Sequence, residues 1–163
     1  MYYGTIKPRD IANGLGVRVS LFVSGCNNKC KGCFNKESWD FKYGTEFTKD
    51  TEDYIINELR NDFISGLSVL GGEPFDPRNQ ETLVLFLKRV KEYFPNKPIW
   101  CYSGYLFEDI KNTEMIKLID ILVDGPFIEE MKDISLKFRG SSNQRIIDIN
   151  QSFKTNDVVL WSE

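Results

Sequence analysis

The chain has 163 residues, 41% hydrophobic and 28% charged, which suits one domain around a single buried core and excludes a disordered or membrane-embedded composition. A net charge of −3, from 21 basic and 24 acidic residues, leaves no electrostatic footprint for nucleic acid or an anionic membrane. Histidine is absent, which removes the Ser-His and Cys-His pairs, the H-E-x-x-H metal helix and the histidine general base from the available chemistries.

No apolar run reaches the roughly 18 residues of a membrane span. The start, Met1-Tyr2-Tyr3-Gly4-Thr5, has neither the basic nor the apolar region of a secretion signal, so a cytoplasmic protein is expected. Residues 17–23 place Val17, Val19, Leu21 and Val23 on one face with a period of two, predicting a strand that ends at Ser24-Gly25. Cys26, Cys30 and Cys33 follow directly, spaced C-x3-C-x2-C, and then a polar stretch carrying Trp39, Phe41, Tyr43 and Phe47. Residues 48–53 supply capping groups for a helix whose apolar face is Ile55, Leu59 and Phe63. Gly66 restarts the chain into a short strand over 67–70, which runs into Gly71-Gly72-Glu73-Pro74.

Asp76 as N-cap and Pro77 in the first helical position open a second helix, with Leu83, Leu87, Val90 and Phe94 as its stripe and Pro95 as its stop. Residues 98–102 read as a strand ending at Ser103-Gly104, 106–117 as a short helix, and 119–123 as a strand ending at Asp124-Gly125-Pro126. Two more strands are expected at 145–149 and 158–161. Strands alternating with helices predict right-handed crossovers and a parallel sheet, with every strand's carboxyl end on one edge. The cysteines, Gly71-Gly72-Glu73-Pro74, Ser103-Gly104 and Asp124-Gly125 each follow a predicted strand, so they converge on the edge where α/β folds place active sites. With only about four to six strands, the expected fold is α/β, an open partial (β/α) barrel with a mostly parallel sheet, forming one domain over 1–163.

Three clustered thiols among four cysteines read as metal ligands in a reducing compartment. Structural zinc is usually closed by four Cys or His ligands, whereas a cubane iron–sulfur cluster given three thiolates keeps one iron free for another molecule. The alternative is a zinc or ordinary iron–sulfur site completed by Cys101, whose other role is that of a small buried thiol inside a strand. Gly71 and Gly72 would let backbone carbonyls approach a ligand ammonium, and Glu73 could fix the turn or add its charge; alone, the tetrapeptide is an ordinary turn. Ser103 and Asp124 are either hydrogen-bond partners of a ligand or plain turn residues. Arg139 and Arg145 flank Ser141-Ser142-Asn143-Gln144, which either orders the last loop or grips a partner's segment. The aromatics at 39–47 fit a docking patch and a solvent shield equally.

The run Cys26-Asn27-Asn28-Lys29-Cys30-Lys31-Gly32-Cys33 resembles the signature of the radical S-adenosylmethionine superfamily, and Gly71-Gly72-Glu73-Pro74 looks like that superfamily's GGEP motif. Cys33-Phe34-Asn35 followed by Glu37-Ser38-Trp39-Asp40 is similar to its glycyl-radical-enzyme activase branch. Trp100-Cys101-Tyr102-Ser103-Gly104-Tyr105, Val123-Asp124-Gly125-Pro126-Phe127 and Phe138-Arg139-Gly140-Ser141-Ser142-Asn143-Gln144-Arg145 resemble the activating proteins of anaerobic (class III) ribonucleoside-triphosphate reductases.

That resemblance implies a radical S-adenosylmethionine fold and an oxidoreductase with one [4Fe–4S] cluster on Cys26, Cys30 and Cys33. It implies S-adenosylmethionine chelating the free iron amid Gly32, Cys33, Phe34, Gly71, Gly72, Glu73, Ser103 and Asp124, and no catalytic side chain. The implied partners are the reductase, which receives a glycyl radical, and a flavodoxin-like or other low-potential reductant; no nucleic acid or membrane is expected. Two alternatives stand beside it: an activase of another glycyl radical enzyme such as pyruvate formate-lyase, and a non-catalytic iron–sulfur or zinc-binding module.

Overall fold

The computed structural model describes residues 1–33 and 36–163. It contains strands β1 (Tyr2–Asp10), β2 (Arg18–Val23), β3 (Thr45–Glu46), β4 (Gly66–Gly71), β5 (Ile99–Tyr102), β6 (Ile121–Asp124) and β7 (Arg145–Asp148). Its helices are α1 (Lys49–Leu59), α2 (Pro77–Tyr93), α3 (Phe107–Ile110) and α4 (Ile149–Thr155). The strands form one sheet in the order β3-β1-β2-β4-β5-β6-β7, open at both ends. β2, β4, β5 and β6 are parallel, while β1, β3 and β7 join by antiparallel pairing. The parallel centre is the α/β sheet that the alternating pattern predicts.

The period of two sorts each central strand onto two faces. Val19, Leu21, Val23, Leu67, Val69, Ile99 and Cys101 enter one core, together with Ile55 and Leu59 of α1 and Leu83, Phe86, Leu87 and Val90 of α2. The α2 positions recur at i, i+3, i+4 and i+7, and each such side chain sealed from water contributes about 1.5–3 kcal/mol. Asp76 caps α2 by accepting from the Arg78 N–H at 3.0 Å, with Pro77 in the first turn.

The other face carries Arg18, Ser20, Ser68, Trp100 and Tyr102 and is polar at its base. Arg18, 1% exposed, donates to Ser68 Oγ at 2.8 Å and to the carbonyls of Leu15, Leu67 and Pro98. Burial lowers its guanidinium to about 10, so it stays charged at neutral pH. Asp10 accepts from Ser20 Oγ at 2.7 Å, Asn13 Nδ2 at 2.7 Å and the Ala12 N–H at 2.9 Å. These contacts lay the β1–β2 connection across the face. Higher up, Trp100, Ile121 and Val123 pack with Tyr102, Phe138, Ile146 and Trp161 in a second, smaller core.

Several expectations are corrected. The sheet is mostly parallel, as expected, but its last strand does not join by a crossover: β7 follows an irregular connection with no crossover helix and returns antiparallel to β6, pairing Arg145 with Asp124. β1 and β3 lie outside the expected strands: β1 alternates in burial from Gly4 onward, but its residues carry no matching apolar period, and β3 has only two residues. Phe63 lies beyond the end of α1 and is 52% exposed, its place in the core taken by Ile64. The helix expected over 106–117 splits into α3 and a 3-10 turn, Met115–Leu118, and the following strand begins at Ile121. At 158–161 there is a single bridge from Ile147 to Leu160, because α4 intervenes and ends at Asn156 with φ 60°. Among the described residues, no helix is long and apolar enough to cross a membrane.

Candidate metal centre

Because β2 and β4 are neighbours, their carboxyl ends deliver the cysteine loop and the Gly71-Gly72 turn side by side. The turn is strapped to the base of the loop: the Gly72 N–H donates to Val23 O and the Glu73 N–H to Gly25 O, both at 2.7 Å. Asn79 of α2 adds bonds to Ser24 O at 3.0 Å and Glu73 O at 2.9 Å. Gly71 has φ +109°, and a Cβ there would lie 2.5 Å from Val23 O; one on Gly72 would lie 2.5 Å from Gly25 O. Both positions exclude a side chain, one by conformation and contact, the other by contact alone.

The cysteine loop leaves β2 through Gly25, whose N–H donates to Ser38 O at 2.6 Å, and the Cys26 N–H donates to Trp39 O at 3.2 Å. Its far end is thereby folded back onto its start. Cys26, Cys30 and Cys33 are free and half-buried, and all three line one cavity of about 420 Å³. Gly71, Gly72, Glu73, Ser103 and Gly104 line the same cavity, whose volume lies in the range of small-molecule sites, about 300–1,000 Å³. Burial pushes the Cys26 thiol up, and the nearby Glu73 charge adds to it. Ala12 and Asn13 of the β1–β2 connection border the cavity, as do Phe138, Arg139 and Gln144 of the β6–β7 connection.

Glu73 is almost wholly buried and bonded to Asn28, Phe75, Ser103 and Gly104; burial raises its carboxyl despite those donors. Ser103 donates to Glu73 at 2.8 Å and accepts from the Tyr105 N–H. Asp124 is fully buried, but its carboxylate turns to Arg145 and to the Phe107 N–H at 2.8 Å, and its neighbours Val123 and Gly125 line the cavity in its stead. Arg145 also pairs with Glu108, and Arg139 donates to the carbonyls of Ser142 and Gln144. Both arginines therefore order the last loop. Gly32 has φ +76° and faces the Glu129 side chain. Phe34 lies outside the described residues.

Cys101 is fully buried on the helix-covered face of β5, and its thiol is raised well above the usual range by burial. It is not part of the cavity wall. Among the described residues, no group of three or more His, Cys, Asp or Glu side chains is arranged around a single metal ion. In a cubane cluster the thiolates attach to different irons, so a cage for one ion is not the geometry such a cluster asks for. The aromatics at 39–47 divide: Trp39 lines the cavity, Phe41 lies under the Arg78 guanidinium at 3.4 Å, and Phe47 packs into the core against Tyr3 and Phe86.

The 4Fe-4S single cluster domain family matches residues 12–147, which takes in every cavity-lining segment. The anaerobic ribonucleoside-triphosphate reductase-activating protein of Haemophilus influenzae is 45% identical over 150 residues, covering 90% of this chain and 97% of its own length. Its namesakes from phage T4 and Escherichia coli K12 are 42% and 43% identical, covering 90% and 88% of this chain and 93% and 96% of their own lengths. The chain belongs to the anaerobic ribonucleoside-triphosphate reductase-activating proteins. In this activating-protein chain the site residues missed from sequence are Asn28, Asn79 and those of the β1–β2 connection. Asn28 sits inside the cysteine motif, a signal that spacing alone did not assign a task.

Proposed function

We propose that the chain activates an anaerobic ribonucleoside-triphosphate reductase by placing a radical on a glycine of that enzyme, as a radical S-adenosylmethionine oxidoreductase with a partial-barrel fold. The observation that carries this is the division of its thiols: Cys26, Cys30 and Cys33 face one cavity beside Gly71 and Gly72, while Cys101 is sealed on the opposite face of the sheet. Three soft, half-buried donors with no fourth protein thiol at hand fit a [4Fe–4S] cluster that keeps one iron for a cosubstrate. When bound, the cluster and S-adenosylmethionine supply a 5′-deoxyadenosyl radical able to take hydrogen from a glycine Cα.

The chain's own residues hold and shield. Cys26, Cys30 and Cys33 would hold the cluster as thiolates, releasing protons on binding, so cluster assembly is favoured as pH rises. Gly71 and Gly72 keep side chains off the cavity wall, with Gly32, Cys33, Phe34 and Ser103 assigned around the cosubstrate by family position; Glu73 braces that wall from within, and Asp124, bonded to Arg145 and the Phe107 N–H, acts by holding the last loop. The β6–β7 connection, held by Arg139 and Gln144, covers part of the cavity and limits water. No side-chain base is needed, in keeping with a chain that has no histidine. The reductant is a flavodoxin-like or other low-potential carrier, in the cytoplasm.

Anaerobically reconstituted and reduced protein is expected to convert S-adenosylmethionine to methionine and 5′-deoxyadenosine, measured by chromatography, and Cys101→Ser is expected to do the same. Intact S-adenosylmethionine over a fully loaded, reduced cluster would reject the proposal.

A further inference from the structure

Glu73 spends its carboxylate inside the chain. Oε1 accepts from Asn28 Nδ2 at 2.8 Å and from the Gly104 N–H at 2.7 Å; Oε2 accepts from the Phe75 N–H at 3.0 Å and from Ser103 Oγ at 2.8 Å. A carboxylate offers about four acceptor positions, so all are taken, and the side chain is 1% exposed. The donors come from the cysteine loop, the turn after β4 and the turn after β5. Asn28 is the cysteine loop's side-chain contribution to this knot, two residues after Cys26 and one before Lys29, whose φ of 48° is left-handed.

Gly104 leaves the room that Asn28 fills. A Cβ on Gly104 would lie 2.3 Å from Asn28 Nδ2 and 3.1 Å from its Cγ, and Gly104 is not among the positive-φ glycines. Glycine is therefore required there for space and not for conformation. The amide orientation of Asn28 is set by its partner, since a carboxylate can only accept from it.

We propose that Asn28 is a positioning residue, whose hydrogen bond to Glu73 fixes the Cys26–Cys30 segment over the cavity, and that Glu73 is the tie joining the three loops. This rests on the three cysteines being cluster ligands, as proposed above. Asn28→Ala removes the bond, Asn28→Asp keeps the shape but sets carboxylate against carboxylate, and Gly104→Ala leaves Asn28 in place chemically while pushing its amide away.

The test has a metal-free arm and a cluster arm. In metal-free, reduced protein, the iodoacetamide alkylation rate of each cysteine is followed by mass spectrometry. All three variants are expected to raise the rates at Cys26 and Cys30 about tenfold, the loss of one hydrogen bond to a charged group, with Asn28→Asp affected at least as much as Asn28→Ala. Cys101 should stay unreactive and reports on folding; should it react in an Asn28 variant, Gly104→Ala decides. In reconstituted protein, the variants are expected to keep their iron but shift the electron paramagnetic resonance spectrum of the reduced cluster.

Wild-type alkylation rates in Asn28→Asp, or an unchanged spectrum in every variant, would overturn the inference, because packing alone would then account for the asparagine. A cluster spectrum indifferent to S-adenosylmethionine even in the wild type would instead reject the proposed function, leaving the alkylation result standing.

Discussion

The four cysteines have two fates, set by which face of the sheet or which loop they occupy. Cys101→Ser is expected to retain full iron and sulfide after anaerobic reconstitution, whereas Cys26→Ala, Cys30→Ala and Cys33→Ala each fall well below four irons per chain by colorimetric assay. The glycines that join the two motif loops are equally discriminating. Gly71→Ala combines a left-handed backbone with a Cβ driven into Val23 O, and is expected to lower the unfolding free energy by at least about 2 kcal/mol in urea titration. Beneath the cavity, burial alone would raise the Asp10 carboxyl, but hydrogen bonds from Ala12, Asn13 and Ser20, aided by Lys7, hold it below its ordinary 3.8. A depressed carboxyl contributes stability that is present above the ordinary value and is lost as pH falls through the native one. Asp10→Asn is therefore expected to be less stable than wild type at about pH 7, with the gap closing below about pH 4.

At the level of elements, α2 and the central strands were legible because one local rule each sufficed: alternation in β2, and cap, proline and apolar stripe in α2. β1 was not, since its run Tyr2–Asp10 mixes aromatic, glycine and charged residues and contains Pro8, which lies where the pairing with β2 shifts register between Lys7 and Asp10. The β6–β7 connection was legible only as a polar stretch, because long-range bonds shape it. Arg145 reaches back 21 residues to Asp124, and Gln144 reaches 19 to the Gly125 carbonyl. Asp124 is fully buried, so removing its cation leaves an unpaired charge and loosens the N-terminus of α3. Arg145→Ala is expected to cost about 3 kcal/mol, read from the shift in the urea midpoint, while Arg139→Ala, whose bonds go to carbonyls near the surface, costs about 1 kcal/mol.

For the whole molecule, the decisive feature is that four parallel strands carry four loops to one edge. Sequence alone placed the cysteines, the glycine turn, Ser103-Gly104 and Asp124-Gly125 there, because each follows a strand and parallel strands end together. It did not foresee that β7 enters that edge from the opposite direction, which brings Arg139 and Gln144 over the cavity, nor that the β1–β2 connection floors it. Both depend on pairings between distant segments that no local pattern encodes. The resulting chamber is walled by the cysteine loop and the glycine turn and bordered by the β1–β2 and β6–β7 connections. The most direct test mixes the reduced, cluster-loaded chain with S-adenosylmethionine and the anaerobic reductase and records the electron paramagnetic resonance spectrum. A doublet from a glycyl radical on the reductase, formed in step with 5′-deoxyadenosine and abolished by Cys26→Ala, is predicted; a loaded and reduced chain that leaves the reductase without any organic radical would contradict the account.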